Sequence, residues 1–287
     1  MSLNRLDISN WTDEVLEQRS FRQAVHIVLA AIAGTPDLQA NMIMKGGILL
    51  SLAYEGSRFT KDIDFSTPRT LKELDIQEFI RKFESALGRA VEQLDYGLDC
   101  IVQSWRQQPP QEDADFATIR LRIGYAYKGH AAAHRRLLKK NSSQIVKVDY
   151  SLNEPLGDPE ICEISEGETI QVYSFHDLIG EKLRAILQQE VRNRIRRQDT
   201  YDLYCLLRHY PSAADEQTRS RVLSSLKDKA RARGLEVCKS SMANPNIIER
   251  SKAEYGNLIS EISGDLPPFD EAYASVKDYY ESLPWDE

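Results

Sequence analysis

The stretch from Met44 to Phe65, MKGGILLSLAYEGSRFTKDIDF, constrains the fold more than any other part of the chain. It predicts the end of a short strand, a Gly-Gly turn, an apolar helix over Ile48–Tyr54, and a second strand that carries Asp62 and Asp64. Because residues two apart in a strand point to the same face of a sheet, the two carboxylates project side by side. Apolar residues alternate with these acids, which is typical of a strand that buries its other face.

This stretch predicts a site for a metal-bound nucleotide. Mg²⁺ takes oxygen ligands, usually one or two carboxylates together with substrate phosphates, and Mn²⁺ suits the same donors. The Gly46-Gly47 turn opens a helix and offers N–H groups to a phosphate, while Arg58 lies where it can pair with an acid or a phosphate. Taken singly, a Gly-Gly pair is often only a turn and Asp-x-Asp is often a solvated strand edge.

Composition narrows the class of protein. The 287 residues carry a formal charge of −7, so there is no overall basic signature for nucleic acid, although a local basic groove would suffice. The four cysteines form no C-x-x-C pair, which argues against a zinc site and for reduced thiols. The start, MSLNRLDISNW, has no apolar signal core, and no run approaches the ~18–20 apolar residues of a membrane span. We expect a cytoplasmic protein without membrane contact.

The predicted elements fall into two groups. Helices are predicted over Trp11–Ala33 and Glu73–Gln93, and strands over Asn41–Met44, Asp62–Phe65, Asp99–Ser104, Ala117–Tyr127 and Gln144–Tyr150. From Ser174 helical periodicity takes over, with helices over Ser174–Arg197, Asp199–Leu207, Asp215–Arg233, Ile247–Ile262 and Asp270–Leu283. The pattern predicts an α+β fold, in which a mixed-sheet domain (1–170) precedes a helical domain (171–287). Because ligand sites favour domain junctions, we expect the active site between them.

The strand IVKVDY supplies a third candidate carboxylate, Asp149. In a sheet it can lie beside Asp62 and Asp64, and three carboxylates around two metal ions suit phosphoryl or nucleotidyl transfer. Lys147 shares the face of Asp149 and can touch a phosphate or simply pair with the acid. The alternative is a single solvated aspartate on a strand.

Lys182 lies within the apolar stripe of the helix DLIGEKLRAIL, where a lysine needs a partner or must reach water with its amine. A triphosphate is one such partner. Asp199, in RRQDTYDLY, is interpreted either as a helix-capping acid or as a partner for Lys182, and Asp202 follows one turn later.

Three basic clusters are candidates for an RNA or triphosphate surface, although charge runs are more often solvated faces. The first lies on and after the Lys182 helix, the second in a predicted loop, and the third near residue 230. They comprise Arg184, Arg192, Arg194, Arg196 and Arg197; His134, Arg135, Arg136, Lys139 and Lys140; and Lys227, Lys229, Arg231 and Arg233. The absence of G-x-S-x-G, Walker and H-E-x-x-H motifs disfavours serine hydrolases, P-loop proteins and zinc proteases.

Five segments in order, KGGILLSL, RFTKDIDF, KVDY, HDLIGEKLRAIL and RRQDTYDLY, resemble the motifs of the AbiEii/AbiGii nucleotidyltransferase toxins, within the DNA polymerase β-like nucleotidyltransferase superfamily. The resemblance covers roughly residues 40–210. It implies transfer of a nucleoside monophosphate from an NTP, with Mg²⁺ or Mn²⁺ as cofactor. It also implies a toxin of a bacterial toxin–antitoxin or phage-defence system, with a cognate antitoxin and, as in some members, a tRNA 3′ end as acceptor.

The resemblance assigns roles residue by residue. The metal-binding acids are Asp62, Asp64 and Asp149; the nucleotide-binding residues are Gly46, Gly47, Arg58, Lys147 and Lys182; and the catalytic set comprises Asp62, Asp64, Asp149, Lys182 and Asp199. Many superfamily members have Gly-Ser at the turn, so a serine contact to phosphate is missing in this chain. Two alternatives stay open: the same fold acting on a protein or small molecule, and a nucleotide-binding module without catalysis.

Overall fold

A computed structural model describes residues 5–54, 56 and 58–286. Residues 1–4, 55, 57 and 287, which belong to the predicted domain ranges, lie outside the described residues. The described helices are α1 (Ile8–Glu14), α2 (Arg19–Ala33), α3 (Pro36–Asn41), α4 (Gly46–Ala53), α5 (Ile76–Gln93), α6 (Ala131–Leu138), α7 (Phe175–Leu187), α8 (Gln189–Arg192), α9 (Arg197–His209), α10 (Glu216–Ala232), α11 (Pro245–Lys252) and α12 (Phe269–Glu281).

The strands are β1 (Ile43–Lys45), β2 (Asp62–Ser66), β3 (Leu98–Gln108), β4 (Thr118–Tyr127), β5 (Ile145–Ser151), β6 (Glu160–Ser165) and β7 (Glu168–Val172). They form one mixed sheet of seven strands in the order β3-β4-β5-β2-β1-β7-β6. The neighbours β2 and β5 are parallel, as are β1 and β7, and the remaining pairs are antiparallel. The central position of β2 and β5 places their polar residues in the middle of the sheet.

Alternation along the central strands gives the sheet one buried face. Ile63 and Phe65 of β2, and Val148 and Tyr150 of β5, are almost completely inaccessible to solvent. Helices α2 and α5 contribute to the core beneath them: α5 buries an apolar stripe that includes Phe83, and α2 is buried along most of its length. The acids between the apolar residues of β2 and β5 therefore lie on the opposite face.

The helices after Val172 form a separate layer that borders the sheet. Ser174 caps α7 by accepting a hydrogen bond from the backbone N–H of Asp177, and α7 packs against α9 and α10. The predicted fold class, an α+β mixed sheet followed by helices, is confirmed. The division into two domains at residue 170 stays a prediction, and β7 spans that position.

Several predicted element bounds are wrong. The first helix is interrupted at Val15, whose backbone is extended, and the second basic cluster lies largely on α6 instead of in a loop. The predicted helix Ser174–Arg197 ends at Leu187 and is followed by the short α8 and the left-handed residue Asn193. Strands β6 and β7 were not predicted. The predicted helix Ile247–Ile262 is α11 followed by a 3₁₀ turn over Tyr255–Ser260.

Candidate active site

The register of two parallel strands brings the predicted acids together. Asp64 of β2 lies opposite Asp149 of β5, and Asp62 lies opposite Lys147. Since residues two apart share a face, the three carboxylates occupy one patch of the sheet. Their convergence at one place is therefore a property of the fold, although they lie far apart in the sequence.

Two of the three acids, Asp64 and Asp149, lie at positions that disfavour their charged form. Burial raises the pKa of Asp64 to about 6; Lys45 opposes this shift, whereas Asp149 and Asp62 add to it. Burial also raises the pKa of Asp149, against the opposing effect of Arg120. A cluster of partly desolvated carboxylates gains from a nearby cation, because a positive charge offsets both burial and mutual repulsion.

The donor chemistry of the three acids fits a hard divalent cation, but their side chains are engaged with basic residues. Nζ of Lys147 lies 3.2 Å from Oδ1 of Asp62, and Nε of Arg120 lies 3.3 Å from Oδ2 of Asp149. Within the described residues, no group of three or more His, Cys, Asp or Glu side chains is already arranged around a metal position. Metal binding by Asp62, Asp64 and Asp149 stays a prediction, and the two ion pairs engage one oxygen of Asp62 and one oxygen of Asp149.

The Gly-Gly turn lies directly against this patch. Gly46 has φ of +79°, and a Cβ atom there would lie 2.2 Å from Oδ2 of Asp64. A Cβ at Gly47 would lie 2.9 Å from Cγ2 of Thr60 and 3.2 Å from Nη2 of Arg58. Glycine is therefore needed at Gly46 both for its left-handed backbone and for close approach to the acid. The N-cap residue of α4, Lys45, makes no side-chain capping hydrogen bond, so it leaves the N–H groups of the first turn to another acceptor.

Lys182 donates hydrogen bonds to two carboxylates of the protein. Its Nζ donates to Oδ1 of Asp199 over 3.0 Å and to Oδ2 of Asp202 over 2.6 Å. Arg58 donates to both oxygens of Asp202, from Nε and Nη2, at 3.1 Å each. Asp199 belongs to the first turn of α9 and is not its N-cap, which is Arg196. The interpretation of Asp199 as a partner of Lys182 thus matches the contacts, and Asp202 is a second partner.

The electrostatics of this cluster favour its charged forms. Burial alone would lower the pKa of Lys182, but Asp202 and Asp199 outweigh it and the net shift is upward. For Asp202, burial would raise the pKa, yet Lys182 and Arg58 hold it below its usual value. The pKa shifts of Lys182 and Asp202 thus both favour the charged form, as expected for oppositely charged groups paired in a buried position.

A cavity of about 360 Å³ joins these parts. It is bordered by Gly46, Gly47, Arg58, Asp62, Asp64, Asp149, Lys182 and Asp199 among the predicted site residues, whereas Lys147 and Asp202 are not part of its lining. Its ionisable lining comprises nine basic and six acidic side chains, a formal excess of three positive charges. A cavity with that balance suits an anionic ligand such as a nucleoside triphosphate.

The basic clusters contribute unequally to the cavity. Arg184, Arg192, Arg194 and Arg196 of the first cluster border it, while Arg197 pairs with Glu254 and Glu261 instead. From the third cluster only Arg233 reaches the cavity, and no residue of the second cluster is among the described residues that border it. Burial, together with Arg233, Arg184 and Arg194, lowers the pKa of Arg192 to about 10, which marks a surplus of positive charge.

Three contributors, Lys45, Glu181 and Arg120, were missed at the sequence level. Lys45 is buried on β1 opposite Asp64 and lies 4.0 Å from Glu181, and Glu181 in turn pairs with Arg184. Arg120 comes from β4, the strand beyond Asp149. The i, i+3 spacing of Glu181 and Arg184 on one helix was a visible signal for their pairing. The residues around Lys45 and Arg120 in the sequence do not mark either of them as a site residue. Only the pairing of strands brings Lys45 opposite Asp64 and Arg120 opposite Asp149.

The comparisons with known proteins agree with this geometry. A mixed sheet with paired aspartates, a glycine turn and a basic cavity defines a protein of the nucleotidyltransferase type. A sequence model of the family described as "Nucleotidyl transferase AbiEii toxin, Type IV TA system" matches residues 27–275. The chain belongs to the AbiEii nucleotidyltransferase toxin family, which implies an NTP substrate and an antitoxin partner. No protein in the curated collection of known proteins matches the sequence.

The fold is similar to that of several solved structures, among them one from Helicobacter pylori and one from Mycobacterium tuberculosis. JHP933 from Helicobacter pylori aligns with a TM-score of 0.50 at 18% identity, covering 94% of this chain and 92% of that one. MenT4, the nucleotidyltransferase toxin Rv2826c from Mycobacterium tuberculosis H37Rv, aligns with a TM-score of 0.53 at 15% identity, covering 96% and 88%. Identities this low show the fold alone. Within the described residues, no helix combines the length and apolar character needed to cross a membrane.

Proposed function

We propose that this protein is a cytoplasmic toxin that transfers a nucleoside monophosphate from an NTP to a tRNA 3′ end and releases pyrophosphate. The observation that carries the proposal is the pairing of Asp64 with Asp149 beside Gly46, at one end of a cavity with surplus positive charge. In the reaction, the acceptor 3′ oxygen forms a bond to the α-phosphorus. The bond from that phosphorus to the pyrophosphate oxygen breaks, and the hydroxyl proton passes to a base.

The three carboxylates share one role in this proposal, and Asp149 has a second one. Asp62, Asp64 and Asp149 would hold Mg²⁺ or Mn²⁺, which when bound neutralises phosphate charge and orients the reacting oxygens. The raised pKa values of Asp64 and Asp149 support a function that needs these acids in a costly position. Asp149, which lies opposite Asp64 in the strand register, is the candidate base for the acceptor hydroxyl.

The triphosphate would lie along the Gly-Gly turn. The N–H groups at the start of α4 can donate to phosphate oxygens, and Arg58 and Lys182 border the same space. Two of the three N–H donors of Lys182 serve Asp199 and Asp202, which leaves one for a phosphate. We propose that Asp199 acts by orienting Lys182. Lys147 lies opposite Asp62, outside the lining of this cavity, so any contact it makes to phosphate comes from the other side of the carboxylates.

A nucleotide-transfer assay tests the proposal. The purified protein is incubated with each labelled NTP, Mg²⁺ or Mn²⁺, total tRNA and total cellular protein, with Asp64→Asn as the inactive control. We expect label in tRNA with at least one NTP, and none with the variant. Label found only in protein would overturn the tRNA acceptor but keep the transferase, and nucleotide binding without any transfer would favour a non-catalytic module.

Growth measurements test whether transfer is the toxic act. Expression of the wild-type chain is compared with Asp62→Ala and Lys182→Ala, at matched protein levels. We expect growth inhibition by the wild type alone, because both substitutions remove groups placed at the metal or triphosphate. Equal inhibition by all three would mean that toxicity has another cause. A partner that relieves the inhibition is expected from the family and would be the cognate antitoxin.

A further inference from the structure

A second cavity, of about 380 Å³, lies on the open sheet face next to the carboxylates. It shares Asp62, Asp149 and Arg120 with the first cavity, and is otherwise bordered by residues of β3, β4 and β5. The two cavities therefore meet at the acids. The Gly-Gly turn and the helix α7 border only the first of them.

The strand register shows how this face is built. One row of Cα partners runs across four strands from Arg106 through Arg120 and Asp149 to Asp64. The neighbouring row runs from Ser104 through Arg122 and Lys147 to Asp62. Because each row joins residues on one face, basic side chains from β3, β4 and β5 form a strip that ends at the carboxylates of β2 and β5.

The charges on the strip are not balanced. Four basic side chains and two acidic ones border the second cavity. Arg120 and Lys147 pair with Asp149 and Asp62, as described above. Arg106 and Arg122 are exposed, and no carboxylate of the described residues lies within ion-pair distance of either. Two unpaired guanidinium groups a short distance from a transfer site suit an anionic partner that carries phosphates at regular spacing.

Transfer chemistry requires two separate approaches to the metal-binding acids. The attacking oxygen and the leaving pyrophosphate lie roughly in line on opposite sides of the α-phosphorus. The first cavity holds the features suited to the triphosphate, so the acceptor has to reach the carboxylates from elsewhere. The second cavity opens onto the same acids without passing the Gly-Gly turn.

We propose that the second cavity binds the phosphate backbone of the RNA acceptor end, with Arg106 and Arg122 on the phosphates that precede the attacking 3′ hydroxyl. In this scheme Arg120 and Lys147, which pair with Asp149 and Asp62, would exchange those partners for RNA phosphates when the carboxylates hold a metal ion. The side chains of Arg120 and Lys147 are 30% and 51% exposed, so neither exchange requires repacking of the core. The proposal rests on the proposed function and names its acceptor site.

The experiment compares the double variant Arg106→Ala/Arg122→Ala with the wild-type protein. The matched control is Arg81→Ala/Lys252→Ala, which removes two positive charges from side chains that are 71% and 57% exposed on other faces. Three quantities are measured: binding of a non-hydrolysable NTP analogue with Mg²⁺, binding of total tRNA as a function of salt, and the KM and kcat for tRNA with a saturating NTP. Melting temperatures confirm that all variants are folded.

We expect the Arg106/Arg122 variant to bind the NTP analogue like the wild type, while its Kd and KM for tRNA rise about tenfold or more with little change in kcat. The slope of log K against log salt becomes shallower by about 1.4, since each lost phosphate contact on a single strand removes about 0.7. The control variant keeps the wild-type slope.

The outcomes separate this inference from the proposed function. If the wild type labels tRNA and the Arg106/Arg122 variant matches it in KM and salt slope, the acceptor site is wrong and the transferase stands. If the wild type labels protein but not RNA, both the tRNA acceptor and this site are overturned. If the variant loses NTP-analogue binding while its KM for tRNA stays unchanged, the strip serves the nucleotide instead of the acceptor.

Discussion

Nζ of Lys182 donates a hydrogen bond to Oδ2 of Asp202 over 2.6 Å, and both side chains are less than one tenth exposed. Asp202 also receives two hydrogen bonds from Arg58, which lies in the segment before β2. One carboxylate therefore connects α7, α9 and the chain next to the Gly-Gly turn. The Lys182–Asp202 pair joins α7 to α9, and the hydrogen bonds from Arg58 link these helices to the segment before β2, so the cluster concerns stability as well as function.

Removing Asp202 is expected to destabilise the protein strongly. Asp202→Ala leaves Lys182 and Arg58 without their shared partner in a buried position, which typically costs about 3–5 kcal/mol. Urea denaturation measures the free energy of unfolding. The control is Asp270→Ala, because Asp270 is 83% exposed and pairs with an exposed Lys252; its effect should stay within about 0.5 kcal/mol. Equal effects for the two substitutions would mean that the buried cluster contributes no special stability.

The same carboxylate predicts a pH dependence of stability. The pKa of Asp202 lies below its usual 3.8 in the folded state, because Lys182 and Arg58 outweigh the effect of burial. A depressed folded-state pKa contributes stability in full above the unfolded-state pKa, and that contribution is lost as pH falls through the folded-state pKa. We expect the difference in unfolding free energy between the wild type and Asp202→Asn to be constant above about pH 5 and to shrink below about pH 4. A difference that does not change down to about pH 2 would contradict the assignment.

Local patterns predicted the strands of the site but not the helix ends beside it. Strict alternation in β2 and β5 was visible because each strand buries one face. After α7, Val191 and Ile195 continue an apolar spacing that favours a longer helix, yet they are 73% and 38% exposed. Asn193, with φ of +46°, ends the helical path between them. Periodicity records where apolar residues lie in the sequence, and burial is decided by the tertiary fold.

The sequence pattern also did not identify which residues contact each other in the site. The position of Lys182 in an apolar stripe predicted that its amine either has a partner, such as a triphosphate, or reaches water. That reasoning does not identify the partner. In the structure the partners are Asp202 and Asp199, which both accept hydrogen bonds from Nζ of Lys182. Strand alternation likewise predicted that Asp149 is available, whereas its place opposite Asp64 depends on the pairing of strands about eighty residues apart.

Gly46 is expected to tolerate no side chain. In Gly46→Ala the new Cβ would meet Oδ2 of Asp64 at 2.2 Å, and φ of +79° is strained for alanine. We expect a loss of more than about 1 kcal/mol in stability together with loss of nucleotide transfer. Gly88→Ala is the control with opposite sign: Gly88 lies inside α5 with nothing within 4 Å of its Cβ position, so alanine should stabilise by about 0.5–1 kcal/mol. Unaltered transfer in Gly46→Ala would separate the turn from the active site.

Metal binding by the carboxylate patch is expected to appear as a change in thermal stability. A ligand that binds only the folded state stabilises it by about 2.7 kcal/mol at a free concentration one hundred times its Kd. We therefore expect MgCl₂ or MnCl₂ to raise the melting temperature of the wild type by several degrees, and EDTA to reverse the increase. Calorimetry at matched ionic strength, with NaCl as the reference, distinguishes this effect from general screening of charge.

Asp64→Asn is the informative variant for the metal. It keeps the shape of the side chain and removes a half-buried negative charge that lies opposite Asp149, so the metal-free variant should be at least as stable as the metal-free wild type. Because Asp64→Asn lacks one carboxylate ligand, the increase in its melting temperature with MgCl₂ or MnCl₂ should be much smaller than that of the wild type. The control variant Asp270→Asn, which changes an exposed aspartate, should show the same increase in melting temperature with metal as the wild type. If Asp64→Asn responds to the metal as strongly as the wild type does, the cation binds elsewhere and the proposed roles of Asp62, Asp64 and Asp149 are wrong.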